Sequence, residues 1–144
     1  MSLLEDHASA FLTRIAFGGS PTLTVYDGKV PDPTPDPEAS PYVVVRFVFY
    51  TQGAAIAPDK VNLIGSDRPL RAEAYTYAVA GGEAASRVIA SAVYARLEGF
   101  TPTISGRTCF PIRHEDSAPR EGSEVTGSYV GTTAHVYQLT SVPV

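Results

Sequence analysis

The chain has 144 residues, of which 44% are hydrophobic and 18% charged, and its formal net charge is −4. This is the length of one ordinary domain, which buries roughly two thirds of the surface that the unfolded chain exposes. The 11 basic residues are scattered singly, and they do not form the basic stripe with which nucleic-acid-binding proteins neutralise phosphates. The composition therefore argues against tight DNA binding.

Cysteine content and hydropathy exclude further classes of protein. Cys109 is the single cysteine, so the chain cannot form an internal disulfide, and a reducing compartment fits this composition. The sequence contains no uninterrupted run of 18 apolar residues, and charged residues stand at positions 5, 6 and 14, where a signal peptide would be apolar. We therefore expect a protein that neither spans a membrane nor is exported by that route.

The first predicted element is a helix over about residues 3 to 17. The segment from Ser2 to Glu5 has the form of a capping box, and a pair of glycines at 18 and 19 offers a helix stop. His7, in the acidic first turn, is expected to be solvated. One apolar stripe recurs at helical spacing and comprises Leu3, Leu4, Ala8, Phe11, Leu12 and Ile15.

Two strands are predicted next, a short one over residues 23 to 26 and a long one over 42 to 51. Both faces of the long strand are largely apolar, with Val43, Val45, Phe47 and Phe49 on one and Tyr42, Val44, Arg46, Val48 and Tyr50 on the other. An apolar second face indicates burial against something other than the helices. The sequence leaves open whether another subunit or a curled sheet covers it.

A proline-rich, acidic segment connects these strands, and we call residues 27 to 41 the proline-rich arm. It contains five of the 12 prolines together with Asp32, Asp36 and Glu38. Alternating prolines favour extended backbone, so the arm could project to a partner as a semi-rigid element. A surface loop that merely connects the two strands explains the composition equally well.

The second half of the chain begins with a predicted long loop over residues 52 to 67, which contains Asp59 and Lys60. A strand over 70 to 79 and a helix over about 83 to 98 follow. The apolar face of this helix comprises Ala84, Ala85, Val88, Ile89, Ala92, Val93 and Leu97, and the opposite face carries Arg87, Ser91, Tyr94 and Glu98. A strand that Pro111 interrupts is predicted over residues 107 to 113. A polar turn is predicted over 114 to 124 and a long strand over 123 to 139.

The element order is therefore α-β-β-β-α-β-β. We predict an α+β fold in which a single antiparallel sheet of about five strands carries two helices on one face, and we predict that residues 1 to 144 form one domain.

Candidates for chemistry are few. The best metal candidate is the turn at His114, Glu115 and Asp116 together with His135, but no ligand spacing such as HxxxH or CxxC supports it. Cys109 with His114 or His135 is the one possible pairing of a nucleophile with a base, and a buried structural thiol is the expected role of Cys109. We therefore predict no catalytic, metal-binding or cofactor-binding residues and no enzyme activity.

Several motifs in this order resemble those of the tail terminator, or tail-completion, proteins of long-tailed bacteriophages. After the N-terminal amphipathic helix, a strand ends in Val25-Tyr26-Asp27-Gly28, and a proline-rich link leads into Pro41-Tyr42-Val43-Val44. An Ala-rich helix over 83 to 97 and two closing strands complete the pattern. The resemblance covers nearly the whole chain. The chain departs from the pattern in the number of prolines in the link and in the charge of the closing turn.

The resemblance implies a structural virion protein located at the tail–neck region, and in the host cytoplasm during assembly. Such proteins form a ring, usually a hexamer, that caps the tail tube, ends its polymerisation and provides the surface that joins the head. The implied partners are other copies of the chain, the major tail (tube) protein and a head-completion or neck protein, while DNA passes through the ring without specific binding. A neck or head-completion connector, or a small enzyme of unknown substrate, remains an alternative.

Contacts with these partners are assigned to the proline-rich arm, the long strand and the long loop. The candidate residues are Asp32, Asp36, Glu38, Tyr42, Val44, Arg46, Tyr50, Asp59 and Lys60.

Overall fold

The computed structural model of the chain describes residues 3–32, 34–51, 69–116 and 131–144. The predicted loop at 52 to 67, with Asp59 and Lys60, and the segment from 117 to 130 lie outside these ranges. The elements in chain order are α1 (Leu3–Phe17), β1 (Thr24–Asp27), β2 (Tyr42–Thr51), β3 (Leu70–Ala80), α2 (Glu83–Leu97), β4 (Arg107–Cys109), β5 (Arg113–Asp116) and β6 (Gly131–Pro143).

The strands form one curled, mixed sheet in the order β1-β2-β3-β6-β4, and β5 also pairs with β6. β4 and β5 occupy successive stretches of the same edge of β6. The pairs β2–β3 and β3–β6 are antiparallel, whereas β1 and β2 are parallel, with Thr24 opposite Tyr42 and Asp27 opposite Val45. The α+β class is confirmed, but the prediction of a purely antiparallel sheet was wrong.

The length of the connection between β1 and β2 explains this difference. Adjacent antiparallel strands are usually joined by two to five residues, while a parallel pair needs a crossover of about a dozen or more. The proline-rich arm is long enough for the chain to return and enter β2 in the direction of β1. It is therefore a crossover connection and not a hairpin loop.

Both helices pack on the same face of the sheet, as predicted. Phe11 and Ile15 of α1 and Val93 and Leu97 of α2 are buried in one core against the odd-numbered residues of β2. The facing residues of β3 are small, Ala72 and Ala74 among them, which lets the helices lie close to the sheet. Apolar burial of this kind contributes about 1.5 to 3 kcal/mol for each large side chain.

A buried arginine joins the two helices. Arg96 of α2 donates hydrogen bonds through Nη1 to the carbonyl oxygen of Ile15, at 2.6 Å, and through Nη2 to that of Pro21. In return, Arg14 Nε donates to the carbonyl oxygen of Arg96 at 2.7 Å. The last turn of α1 has carbonyls without helical partners, and Arg96 satisfies one of them.

His7 is fully buried, so the prediction that it is solvated was wrong. Its Nδ1 lies 2.8 Å from the carbonyl oxygen of Leu3 and its Nε2 lies 2.7 Å from Ser141 Oγ. Because a carbonyl can only accept, Nδ1 carries the proton and Nε2 accepts from the Ser141 hydroxyl. Arg107 Nε donates to the same hydroxyl oxygen at 3.1 Å. Burial, followed by the nearby Arg107 charge, lowers the pKa of His7.

Element boundaries agree closely with the sequence for the helices and for β1 to β3. Pro111 divides the predicted strand at 107 to 113, and β5 occupies the first residues of the predicted polar turn. The last strand continues to Pro143, beyond its predicted end at 139. Within the described part of the chain, neither helix is long and apolar enough to cross a bilayer.

Candidate functional surfaces

The face of the sheet opposite the helices has an aromatic and apolar character, and we call it the open face. Strand alternation places on it Tyr42, Val44, Arg46, Val48, Tyr50, Arg71, Glu73, Tyr75, Tyr77, Val79, Ala134, Val136 and Gln138. Tyr75 and Tyr77 pack against the buried Ala134 and Val136. Val48 and Tyr50 are 38% and 46% exposed, so apolar surface remains accessible at the β2 side.

The proline-rich arm contacts one end of the open face. Val30, which is half-buried, packs against a small cluster formed by Tyr42, Val44 and Val79. The rings of Tyr26 and Tyr42 meet edge to face, with their centroids 5.5 Å apart. Two of the predicted contact residues, Tyr42 and Val44, are therefore buried within the subunit.

A second attachment holds the far end of the arm. A Cβ atom added to Gly81 would lie 2.9 Å from Glu38 Cα, so the arm backbone approaches this glycine more closely than a side chain allows. Asp36 Oδ1 accepts a hydrogen bond from the Glu38 amide at 3.1 Å, which is typical of a turn. The arm is thus attached at both ends, while Asp32, Asp36 and Glu38 remain exposed.

Charges on the open face are grouped around one guanidinium. Arg71 Nη2 lies 3.2 Å from Glu73 Oε2 and also contacts Glu115 Oε1, which reaches it from β5. A hydrogen bond to Glu73 raises the pKa of Tyr50, and burial is the first cause of the raised pKa of Glu115. Two carboxylates therefore share one arginine. Arg46 is exposed beside it on β2 and lies 6.0 Å from the centre of the Tyr77 ring.

The outer side of α2 forms a second exposed surface, and we call it the α2 surface. Val88 and Tyr94 are 68% and 47% exposed there, and the small residues Ala84, Ala85 and Ala95 are also exposed. This surface was not predicted, because the sequence pattern places Val88 on the apolar face of the helix and Tyr94 on the opposite face. The structure turns Val88 outward.

The third feature is a cavity of about 630 Å³ between α2 and the β5–β6 pair. His114 and His135, which the sequence analysis considered together, do meet here, with Nε2 of His114 2.9 Å from Nδ1 of His135. Glu115 instead lies with Arg71. Among the described residues, no group of three His, Cys, Asp or Glu side chains is arranged to hold a metal ion.

Cys109, for which a buried structural thiol was the expected role, is half-buried and packs against the main core, and burial raises its pKa. A thiol with a raised pKa is a poor nucleophile at neutral pH.

Comparisons with known proteins leave the family open. No protein-family model matches the sequence, and no curated protein shows significant similarity to it.

Proposed function

We propose that the protein is a tail terminator that forms a ring on the end of a bacteriophage tail tube. The observation that carries the proposal is the presence of two unlike, partly apolar surfaces on opposite sides of the subunit. One is the open face at Val48 and Tyr50, and the other is the α2 surface at Val88 and Tyr94.

Ring closure requires two different patches on each subunit, so that the same contact repeats head to tail around an axis. The helices and the open face lie on opposite sides of the sheet, which is the placement that such a contact needs. The open face is rich in tyrosine and carries two exposed or half-exposed arginines, Arg46 and Arg71. Tyrosine and arginine are enriched in protein interfaces relative to the remaining surface.

The proline-rich arm supports a contact with a further partner. Its carboxylates at Asp32, Asp36 and Glu38 are exposed, although the arm backbone is held at Val30 and against Gly81. An arm that is already ordered loses little conformational entropy when a partner binds it. We assign to it the contact with the tube protein or the neck protein, both of which the resemblance implies.

Tube assembly in vitro tests the proposal. The major tail protein encoded with this chain is polymerised with and without the purified protein, and tube length and tube ends are examined by electron microscopy. A terminator stops growth and leaves a ring at one end of the tube. A neck connector would leave tube length unchanged and would bind only tubes that are already capped.

A further inference from the structure

A β-bulge brings a second carboxylate to one guanidinium on the open face. The register of β5 against β6 shifts between His114 and Asp116, and Glu115 lies at this irregularity. The Glu115 carboxylate contacts Arg71 on β3, and Arg71 Nη2 also lies 3.2 Å from Glu73 Oε2. Bulges often re-aim a side chain at a functional position. The carboxylate pair on Arg71 is therefore a feature that the strand geometry builds.

The two carboxylates are partly shielded from water. The side chains of Glu73 and Glu115 are 10% and 27% exposed. Burial, followed by a hydrogen bond with Glu73, raises the pKa of Glu115, although the Arg71 charge acts in the opposite direction. The charge of one guanidinium thus does not offset the burial of two carboxylates. A second cation at this position would complete the pairing of charges.

Exposed apolar side chains adjoin the carboxylates. In the β2–β3 ladder Val48 stands directly opposite Glu73, and Tyr50 stands directly opposite Arg71. Residues opposite each other on antiparallel strands have Cβ atoms about 4.5 to 5.5 Å apart. A cation that binds the carboxylates from outside would therefore bring its neighbours against the exposed side chains of Val48 and Tyr50.

The α2 surface carries a cation beside its own exposed apolar side chains. Arg87 is exposed, directly precedes Val88, and stands seven positions, close to two helical turns, before Tyr94. It therefore lies between these two side chains on the outer side of the helix. α2 is described over its whole length and has one other arginine, Arg96, which is buried and bonded to the carbonyl oxygen of Ile15. Arg87 is thus the exposed cation of α2.

We propose that Arg87 of one subunit binds the carboxylates of Glu73 and Glu115 on the open face of the next subunit. The inference rests on the ring contact proposed above, and it names the charges that orient this contact. Two guanidiniums then face two carboxylates, while Val88 packs beside Val48. Complementary charges of this kind fix the register of an interface and exclude wrong partners.

Charge reversal on either side of the contact tests the proposal. Arg87→Glu surrounds one guanidinium with three carboxylates, and Glu115→Arg surrounds one carboxylate with three guanidiniums. Each variant alone should raise the protein concentration at which rings form about tenfold or more, because like charges then meet at the interface. Rings are counted by native mass spectrometry in solution and by electron microscopy at tube ends. Lys29→Glu is the control in solution, since it makes the same change of charge at an exposed residue outside both surfaces.

Mixing the two variants separates a contact between subunits from an effect on folding. In an alternating ring, the carboxylate introduced by Arg87→Glu meets the guanidinium introduced by Glu115→Arg, and every second interface keeps the unmodified residues on both sides. The equimolar mixture should therefore form rings with an even number of subunits at a concentration where neither variant forms them alone. Thermal unfolding establishes that each variant is folded.

Two results would overturn this inference alone. They are rings of the Arg87→Glu variant at the concentration that the unmodified protein needs, and a mixture of folded variants that forms no rings although the unmodified protein does. Either result leaves the terminator proposal standing, because the two surfaces could still meet through other residues. If the unmodified protein forms rings neither in solution nor at tube ends, both proposals are wrong.

Discussion

His7 Nε2 accepts a hydrogen bond from Ser141 Oγ across 134 positions of sequence, and this bond fixes the first helix to the last strand. The same hydroxyl oxygen accepts from Arg107, so the three residues form one buried chain of hydrogen bonds. A protonated His7 could no longer accept from Ser141 and would stand beside the Arg107 charge. The network therefore requires a neutral imidazole.

Stability should accordingly fall in mild acid. The pKa of His7 in the folded protein is lowered from 6.5, so the unfolded chain binds the proton more readily. The contribution of His7 is fully present above about pH 6.5 and is lost as the pH falls from there through the lowered pKa of the folded state. Urea unfolding between pH 5 and 7.5 measures this slope.

The matched variant for this experiment is His7→Gln. It is expected to be less stable at neutral pH and to show a smaller dependence on pH, because every other titrating group is present in both proteins. An identical pH slope in the two proteins would contradict the assigned role of His7.

The approach of Glu38 to Gly81 yields a prediction about the arm. Gly81→Ala places a Cβ atom 2.9 Å from Glu38 Cα and must displace the arm backbone. Overpacking of this kind costs about 1 to 3 kcal/mol of unfolding free energy. Gly82→Ala is the control, because nothing lies within 4 Å of its added Cβ. Chemical unfolding of both variants is the measurement, and equal stabilities would show that the arm is not held at this point.

The charges of the arm should matter for assembly and little for folding. A triple variant replaces three exposed side chains of the arm by Asp32→Ser, Asp36→Ser and Glu38→Ser. Surface substitutions of this kind usually change stability by no more than about 0.5 kcal/mol each. If the arm contacts the tube or neck protein, the triple variant folds normally but ends tubes poorly. Thermal unfolding of the triple variant and the lengths of tubes grown with it are the two measurements. Normal tube lengths would show that the arm only connects β1 to β2.

The two proposed ring surfaces can be tested as a pair. Val48→Lys on the open face and Val88→Lys on the α2 surface each introduce a charge at an exposed apolar position, and each should prevent ring closure. A head-to-tail contact further predicts that a mixture of the two variants forms dimers, because one intact interface remains possible between them.

Native mass spectrometry distinguishes these species. Thr13→Lys is the control, since it places the same charge at an exposed position of α1. Rings formed by either valine variant, or mixtures that remain monomeric while the unmodified protein forms rings, would contradict the assignment of the two surfaces.

Periodicity and residue type along the sequence predicted the individual helices and strands. The apolar stripes through Phe11 and Val93 located both helices, and the dense β-branched sequence of β2 located the longest early strand. The parallel pairing of β1 with β2 depends on the route of the arm through space, and alternation along a strand carries no information about the direction of its neighbour.

Contacts between distant positions escaped prediction for the same reason. Ser141, the partner that makes burial of His7 possible, lies at the other end of the chain. His114 and His135 were grouped from the sequence although no ligand spacing joins them, and the structure does bring their rings together. Tyr42 and Val44 were predicted to contact other subunits because they are apolar on the second face of β2. Within the subunit, Val30 of the arm packs against them, and their contact with other subunits stays a prediction.

Electron microscopy of tube ends tests the central claim most directly. Tubes of the major tail protein should stop growing when this protein is added, so their lengths should be narrowly distributed. Each tube should carry a ring of about six subunits at one end. Tubes grown with the Val88→Lys variant should continue to lengthen as they do without any addition. If the unmodified protein leaves tubes growing and their ends bare, it is not a tail terminator.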